Sequence, residues 1–231
     1  MLVTLNIKGP PRVVLLTPYP DDPKGAVQLF RREFRAAIQD KSILMPEVET
    51  RSWHQLCDAL AGLPSTHQGY NCLLILTHGT KNHRLAFQDP DFPLPSSLDQ
   101  VEFLGDLVKW SNFFRSAFDD KLLMFAACHS GDSMNTNPLL HTGMALHVVA
   151  PEPSNPSLKA ATGAKAMALY LDLLAGKNKS ELSPDDLEHV EAEVNIRHHN
   201  TLKLWPYEAD PAFVEHMDRE LQKWWAEEGG K

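Results

Sequence analysis

Leu122-Leu123-Met124-Phe125-Ala126-Ala127-Cys128-His129-Ser130-Gly131 is the stretch on which the fold turns. Six consecutive apolar residues, too few for a helix of ordinary length, read as a strand buried on both faces of a parallel sheet. The run ends in a thiol. A second run, Leu73-Leu74-Ile75-Leu76-Thr77, ends in His78-Gly79. Open α/β sheets bind ligands just beyond the carboxyl ends of their strands. The two runs therefore place an imidazole and a thiol at the mouths of two strands.

The segments around these runs alternate between strand and helix patterns. Residues 12–17 (RVVLLT) read as a first strand, stopped by Pro18 and Pro20. Residues 26–39 carry Val27, Leu29, Phe30, Phe34 and Ile38 at near-helical spacing. A short strand is expected near 46–50, and then a helix capped by Ser52 with Leu56, Leu60 and Leu63 on one face. Strands follow at 72–77, 121–127 and 145–150. A loop spans 84–95 and a helical stretch 98–118. Residues 158–175 form a strong helix, with Gly176 as its stop. Two more helical patterns occupy 185–204 and 211–228. In the latter, Phe213, Met217, Leu221, Trp224 and Trp225 make an apolar face expected to pack on the body. Alternating strands and helices predict an α/β fold with a mostly parallel sheet and helices on both faces.

The chain has 231 residues, 43% hydrophobic and 23% charged, as expected of one globular domain with a sizeable core. The reading is a core over 12–177 and a helical tail over 183–231. The net charge of −8 argues against sequence-independent binding to nucleic acid or to anionic membrane. Three cysteines do not make a disulfide framework. Cys57 and Cys72 read as small core residues, and a reducing cytoplasm fits best. Eleven histidines occur without a CxxC or HExxH context, so neither a metal nor another cofactor is expected.

The chemistry needs little more than these two strand ends. A thiol is mostly protonated near neutral pH, and the thiolate is the nucleophile. A neighbouring imidazole can take the proton or hold the thiolate as an ion pair. His129, adjacent to Cys128, is a weaker candidate base, because successive residues leaving a strand point apart. Gly79 puts no side chain over its own N–H, which together with the N–H of Cys128 could form an oxyanion hole. Gly131 permits a tight turn after the strand. No carboxylate partner for His78 is evident from spacing.

The two blocks, fifty positions apart, resemble those of the caspase-like (clan CD) cysteine peptidases. Leu73-Leu74-Ile75-Leu76-Thr77-His78-Gly79 is similar to the histidine block. Cys128-His129-Ser130-Gly131 is close to the metacaspase form of the cysteine block, and Ala-Cys-x-Ser-Gly to that of the CHAT branch. Residues 168–177 (ALYLDLLAGK) also resemble a CHAT helix. The resemblance spans about 12–177 in element order. It implies a caspase-like α/β/α sandwich, with Cys128 as nucleophile and His78 as base or ion-pair partner of a cysteine endopeptidase. Its substrate would be a protein or peptide, such as a latent bacterial stress or defence effector. Metacaspases carry an acidic residue two positions before the cysteine; here that residue is Ala126. Glu152, or Asp132, is an alternative acidic residue for substrate binding. Control would come from a separate activating partner or from cleavage of a loop such as 89–95. Two other classes stay open: a non-catalytic caspase-like scaffold, and a cysteine amidase with a closed pocket.

Overall fold

The computed structural model describes residues 7–22, 24–79, 86–89, 117–118, 121–128, 130, 147–152, 159–206 and 219. In chain order these give β1 (Ile7–Lys8), β2 (Val13–Thr17), α1 (Ala26–Ala37), a 3-10 turn (Lys41–Ile43), β3 (Val48–Glu49), α2 (Trp53–Thr66) and β4 (Cys72–Leu76). Then come β5 (Leu122–Ala126), β6 (His147–Pro151), α3 (Ala160–Gly176), β7 (Glu181–Leu182), α4 (Pro184–His198) and β8 (Leu202–Pro206).

Six strands form the main sheet in the order β3-β2-β4-β5-β6-β8. Neighbours are parallel except for β8, which runs antiparallel to β6. The chain leaves β2 for β3 on one side and returns to β4 on the other. The strand order thus reverses between β2 and β4, and the crevice at such a switch point is where open α/β sheets place ligands.

Every residue of β2, β4, β5 and β6 is buried, as the continuous apolar runs require. Alternation divides them between two cores. Val13, Leu15, Leu74, Leu76, Met124 and Ala126 pack with α1 and α3. Val14, Leu16, Leu73, Ile75, Leu123 and Phe125 pack with Leu56, Leu60 and Leu63 of α2. On α1, Val27, Phe30 and Phe34 fall on the buried stripe, and the two phenylalanine rings stack at 5.8 Å. Helices on both faces of a mostly parallel sheet make an α/β/α sandwich, an arrangement compatible with a caspase-like fold.

Expected and observed elements agree within a few residues over 12–66 and at β4, β5, β6 and α3. The tail differs. The helix expected over 185–204 ends at His198; His199 and Asn200 take left-handed backbone angles (φ 55° and 52°), and the chain re-enters the main sheet as β8. The side chain of Asn195 ties this reversal, accepting from the N–H of Leu202 and donating to its carbonyl. Ahead of it, Ser183 and Asp186 form a reciprocal capping box at the start of α4. The small sheet of β1 and β7 went unread, since two-residue strands carry no periodicity. The expected helices over 98–118 and 211–228 lie largely outside the described residues, which include only Ala117, Phe118 and Arg219 there. Among the described residues no helix is long and apolar enough to cross a membrane.

Candidate active site

The register of the sheet explains the separation of the two reactive residues. In the β4–β5 ladder Leu76 is opposite Ala126. His78 and Cys128 each lie two residues beyond that pair, so the parallel register sets them side by side. Two residues further along a strand also returns to the same face. Leu76 and Ala126 face the α1/α3 core, and His78 and Cys128 leave the sheet on that side. Both line one small cavity of about 40 Å³ with Ala26, Val27 and Phe30 of α1, Leu76, Thr77, Ala126, and Ala160 at the start of α3.

Gly79 locks the pairing. A Cβ built on it would stand 1.7 Å from the carbonyl oxygen of Cys128 and 2.9 Å from its nitrogen. Only glycine permits this approach of backbone to backbone. Past Cys128 the chain turns at once: the N–H and hydroxyl of Ser130 both donate to the carbonyl of Ala127, at 3.3 and 2.7 Å. Cys128 itself is half-buried and outside any disulfide. Gly131, Asp132 and His129 lie outside the described residues.

The structure supplies a carboxylate that spacing did not reveal. Asp22, in the loop from β2 to α1, has a fully buried side chain, and its Oδ1 stands 3.0 Å from Nε2 of His78. The contact is close, but the ring N–H is not aligned on the oxygen as a hydrogen bond. Asp22 also caps α1. The N-cap residue is Gly25, which has no side chain to offer and sits at φ 71°. Oδ2 of Asp22 accepts the N–H of Val27 in its place, and Oδ1 the N–H of Lys24, each at 2.9 Å. Burial alone would push this carboxyl up. The N–H of Val27, His78 and the N–H of Lys24 outweigh burial and hold it below the usual carboxylate range. Asp22 is therefore an anion beside an imidazole that is about one-third exposed. The ring of Tyr19 meets the His78 ring edge-on at 5.5 Å.

Backbone bonds hold the surrounding loops together. The N–H of Ala86 donates to the carbonyl of His78, and the hydroxyl of Thr77 to the carbonyl of Ala86. The N–H of Gln88 donates to the carbonyl of Pro18, and its side-chain oxygen accepts from the N–H of Asp21. Arg51 completes the brace through ion pairs to Asp21 and Asp89.

The other sequence candidates fall elsewhere. Glu152 follows β6, its N–H bonded to the carbonyl of Thr201, and its charge acts on Glu191 of α4. It is not among the residues lining the cavity. Cys72 is fully buried and its thiol is pushed up to about 12 by burial, so it is inert; Cys57 is only partly buried. Among the described residues no group of histidine, cysteine and carboxylate side chains could hold a metal ion.

Asp22 went unread because it lies 56 positions before His78, with no motif joining them. The signal available was topological: it follows the strand that flanks the switch point. No protein-family model matches this chain, and no curated protein matches it.

Proposed function

We propose that this chain is a caspase-like cysteine endopeptidase working through Cys128, His78 and Asp22. The observation that carries the reading is the convergence of three strand ends. A buried anion stands against one nitrogen of an imidazole, and that imidazole shares a cavity with a half-buried thiol. With Nε2 against Asp22, Nδ1 is the nitrogen left to exchange a proton with Cys128.

In the first half-reaction the thiolate of Cys128 attacks the substrate carbonyl carbon. The C=O electron pair moves onto oxygen, where the N–H groups of Gly79 and Cys128 are the proposed donors. Collapse of the tetrahedral species breaks the C–N bond; the imidazolium of His78 gives its proton to the departing amine, leaving a thioester. In the second half-reaction His78 takes a proton from water, whose oxygen attacks the thioester. The acid leaves and the thiol is restored. Asp22 touches neither substrate nor thiol. Its part is to orient the imidazole and stabilise its protonated form. The substrate is a protein or peptide, and activation of a latent stress or defence effector in the cytoplasm is the setting proposed for it.

Cleavage of a proteome-derived peptide library by the wild type, Cys128→Ala and His78→Ala tests the reading by mass spectrometry. Cuts made by the wild type and absent from both folded variants are expected. Cuts that persist in Cys128→Ala overturn it. No cuts, together with a Cys128 that alkylates no faster than a free thiol at any pH, would make the chain a binding module instead.

A further inference from the structure

The cavity beside Cys128 carries information about the residue that precedes the scissile bond. This inference rests on the peptidase reading above and names its substrate class. Apart from His78 and Cys128, the described lining is Ala26, Val27, Phe30, Leu76, Thr77, Ala126 and Ala160. None of these side chains is charged, and only Thr77 is polar. Ala126, two residues before Cys128, is apolar and buried. Phe30, also buried, forms one wall and is backed by Phe34. Ala26 and Ala160, which also line the cavity, each end at a methyl group. A cavity of about 40 Å³ has room for roughly three water-sized atoms.

We infer that this cavity receives the side chain of the residue before the cut, and that it selects an uncharged side chain of alanine-to-valine size. A lysine, arginine or aspartate would lose its hydration there and meet no free charged partner among the described residues, since the nearby Asp22 carboxylate is already taken by Val27, Lys24 and His78. A phenylalanine or leucine would collide with the Phe30 wall. Phe30 and Ala160 are the residues that set the size limit, and Ala126 the one that removes the charge.

The test separates this inference from the peptidase reading. Peptidyl chloromethyl ketones identical except for the last residue (alanine, valine, phenylalanine, lysine or aspartate) are reacted with the full chain. The rate of Cys128 alkylation is read by intact mass, with iodoacetamide as a probe that needs no pocket. The expected result is alkylation by the alanine and valine probes at least tenfold faster than by the other three. Phe30→Ala should then raise the phenylalanine rate relative to alanine, and Ala160→Leu should make alanine outrun valine. Thermal melts identify which variants are folded, and either variant suffices. Equal rates for all five peptidyl probes, or a lead for lysine or aspartate, overturn the size-and-charge inference while Cys128 and His78 stand. Failure of every peptidyl probe to exceed its rate with a free thiol, with His78→Ala no different, overturns the peptidase reading and the inference with it.

Discussion

Two buried carboxylates open two helices in this molecule, and they have different fates. Asp186 caps α4. Its carboxylate takes the N–H and hydroxyl of Ser183 and the ammonium of Lys179 at 2.7 Å, and it is held down at about 2, chiefly by Lys179. Asp22 caps α1 from outside the helix and is also held below the ordinary range. The difference is the remaining partner. Asp186 meets the ammonium of Lys179. Asp22 meets an imidazole that can gain or lose a proton and lines a cavity with a thiol. Both arrangements stabilise a helix start, but only the second couples it to a group able to do chemistry. A low carboxylate is thus no sign of function by itself; the nature of the group it faces decides.

The strongest way to break this comparison is to remove what makes Asp22 different. Gly79→Ala must part the strand end of His78 from the backbone of Cys128. A loss of about 3 kcal/mol or more is expected in urea unfolding, along with loss of Cys128-dependent turnover. Wild-type stability and activity in this variant would show that the close approach does not hold the site together.

Asp22→Asn sharpens the comparison, because the amide oxygen can still accept the N–H of Val27 while the charge disappears. A fall in turnover on the order of a hundredfold is expected, with about 1 kcal/mol lost in stability, because the amide nitrogen cannot accept the N–H of Lys24 in place of Oδ1. Asp22→Ala should lose the same activity and about 1 kcal/mol besides. Wild-type turnover in a folded Asp22→Asn would reduce Asp22 to a helix cap.

Asp186→Asn is the mirror experiment: unaltered turnover and a stability loss of about 1–2 kcal/mol at neutral pH, part of the Lys179 attraction being screened by solvent. The sign with pH follows from the depressed carboxyl. The unfolded chain releases this proton near 3.8 and the folded chain near 2, so the stabilisation is complete above about pH 5 and fades as pH falls through 3.8 toward 2. Urea midpoints between pH 2 and 6 should show a shallower acid decline in Asp186→Asn than in the wild type. The smallest effect is expected at Gly25→Ala. A side chain at φ 71° meets no steric neighbour there but costs about 1 kcal/mol in backbone strain.

How far the sequence carried can be seen residue by residue. The apolar runs at 73–77 and 122–127 sufficed for two central strands, because a strand buried on both faces needs no alternation to be recognised. Their fifty-residue offset even contained the register, since Leu76 pairs with Ala126. The side-by-side placement of Cys128 and His78 was legible on the same grounds. Asp22 was not, because its relation to His78 exists only through the pairing of β2 with β4. β8 was missed because Leu202-Lys203-Leu204 is too short to display a period of two after a long helical pattern. The stop signal was two consecutive left-handed residues, His199 and Asn200, neither of them glycine.

The edge strand β8 has a consequence for how this protein is made. Residues 72–151 contain β4, β5 and β6, so a growing polypeptide holds both His78 and Cys128 on those strands well before Leu202 emerges from the ribosome. Until β8 arrives, β6 offers an uncovered row of N–H and C=O groups along the apolar sequence His147–Pro151. Such an edge readily pairs with another chain. The nascent chain is exposed to aggregation along β6, and the segment that covers β6 is among the last parts of the sheet to be synthesised.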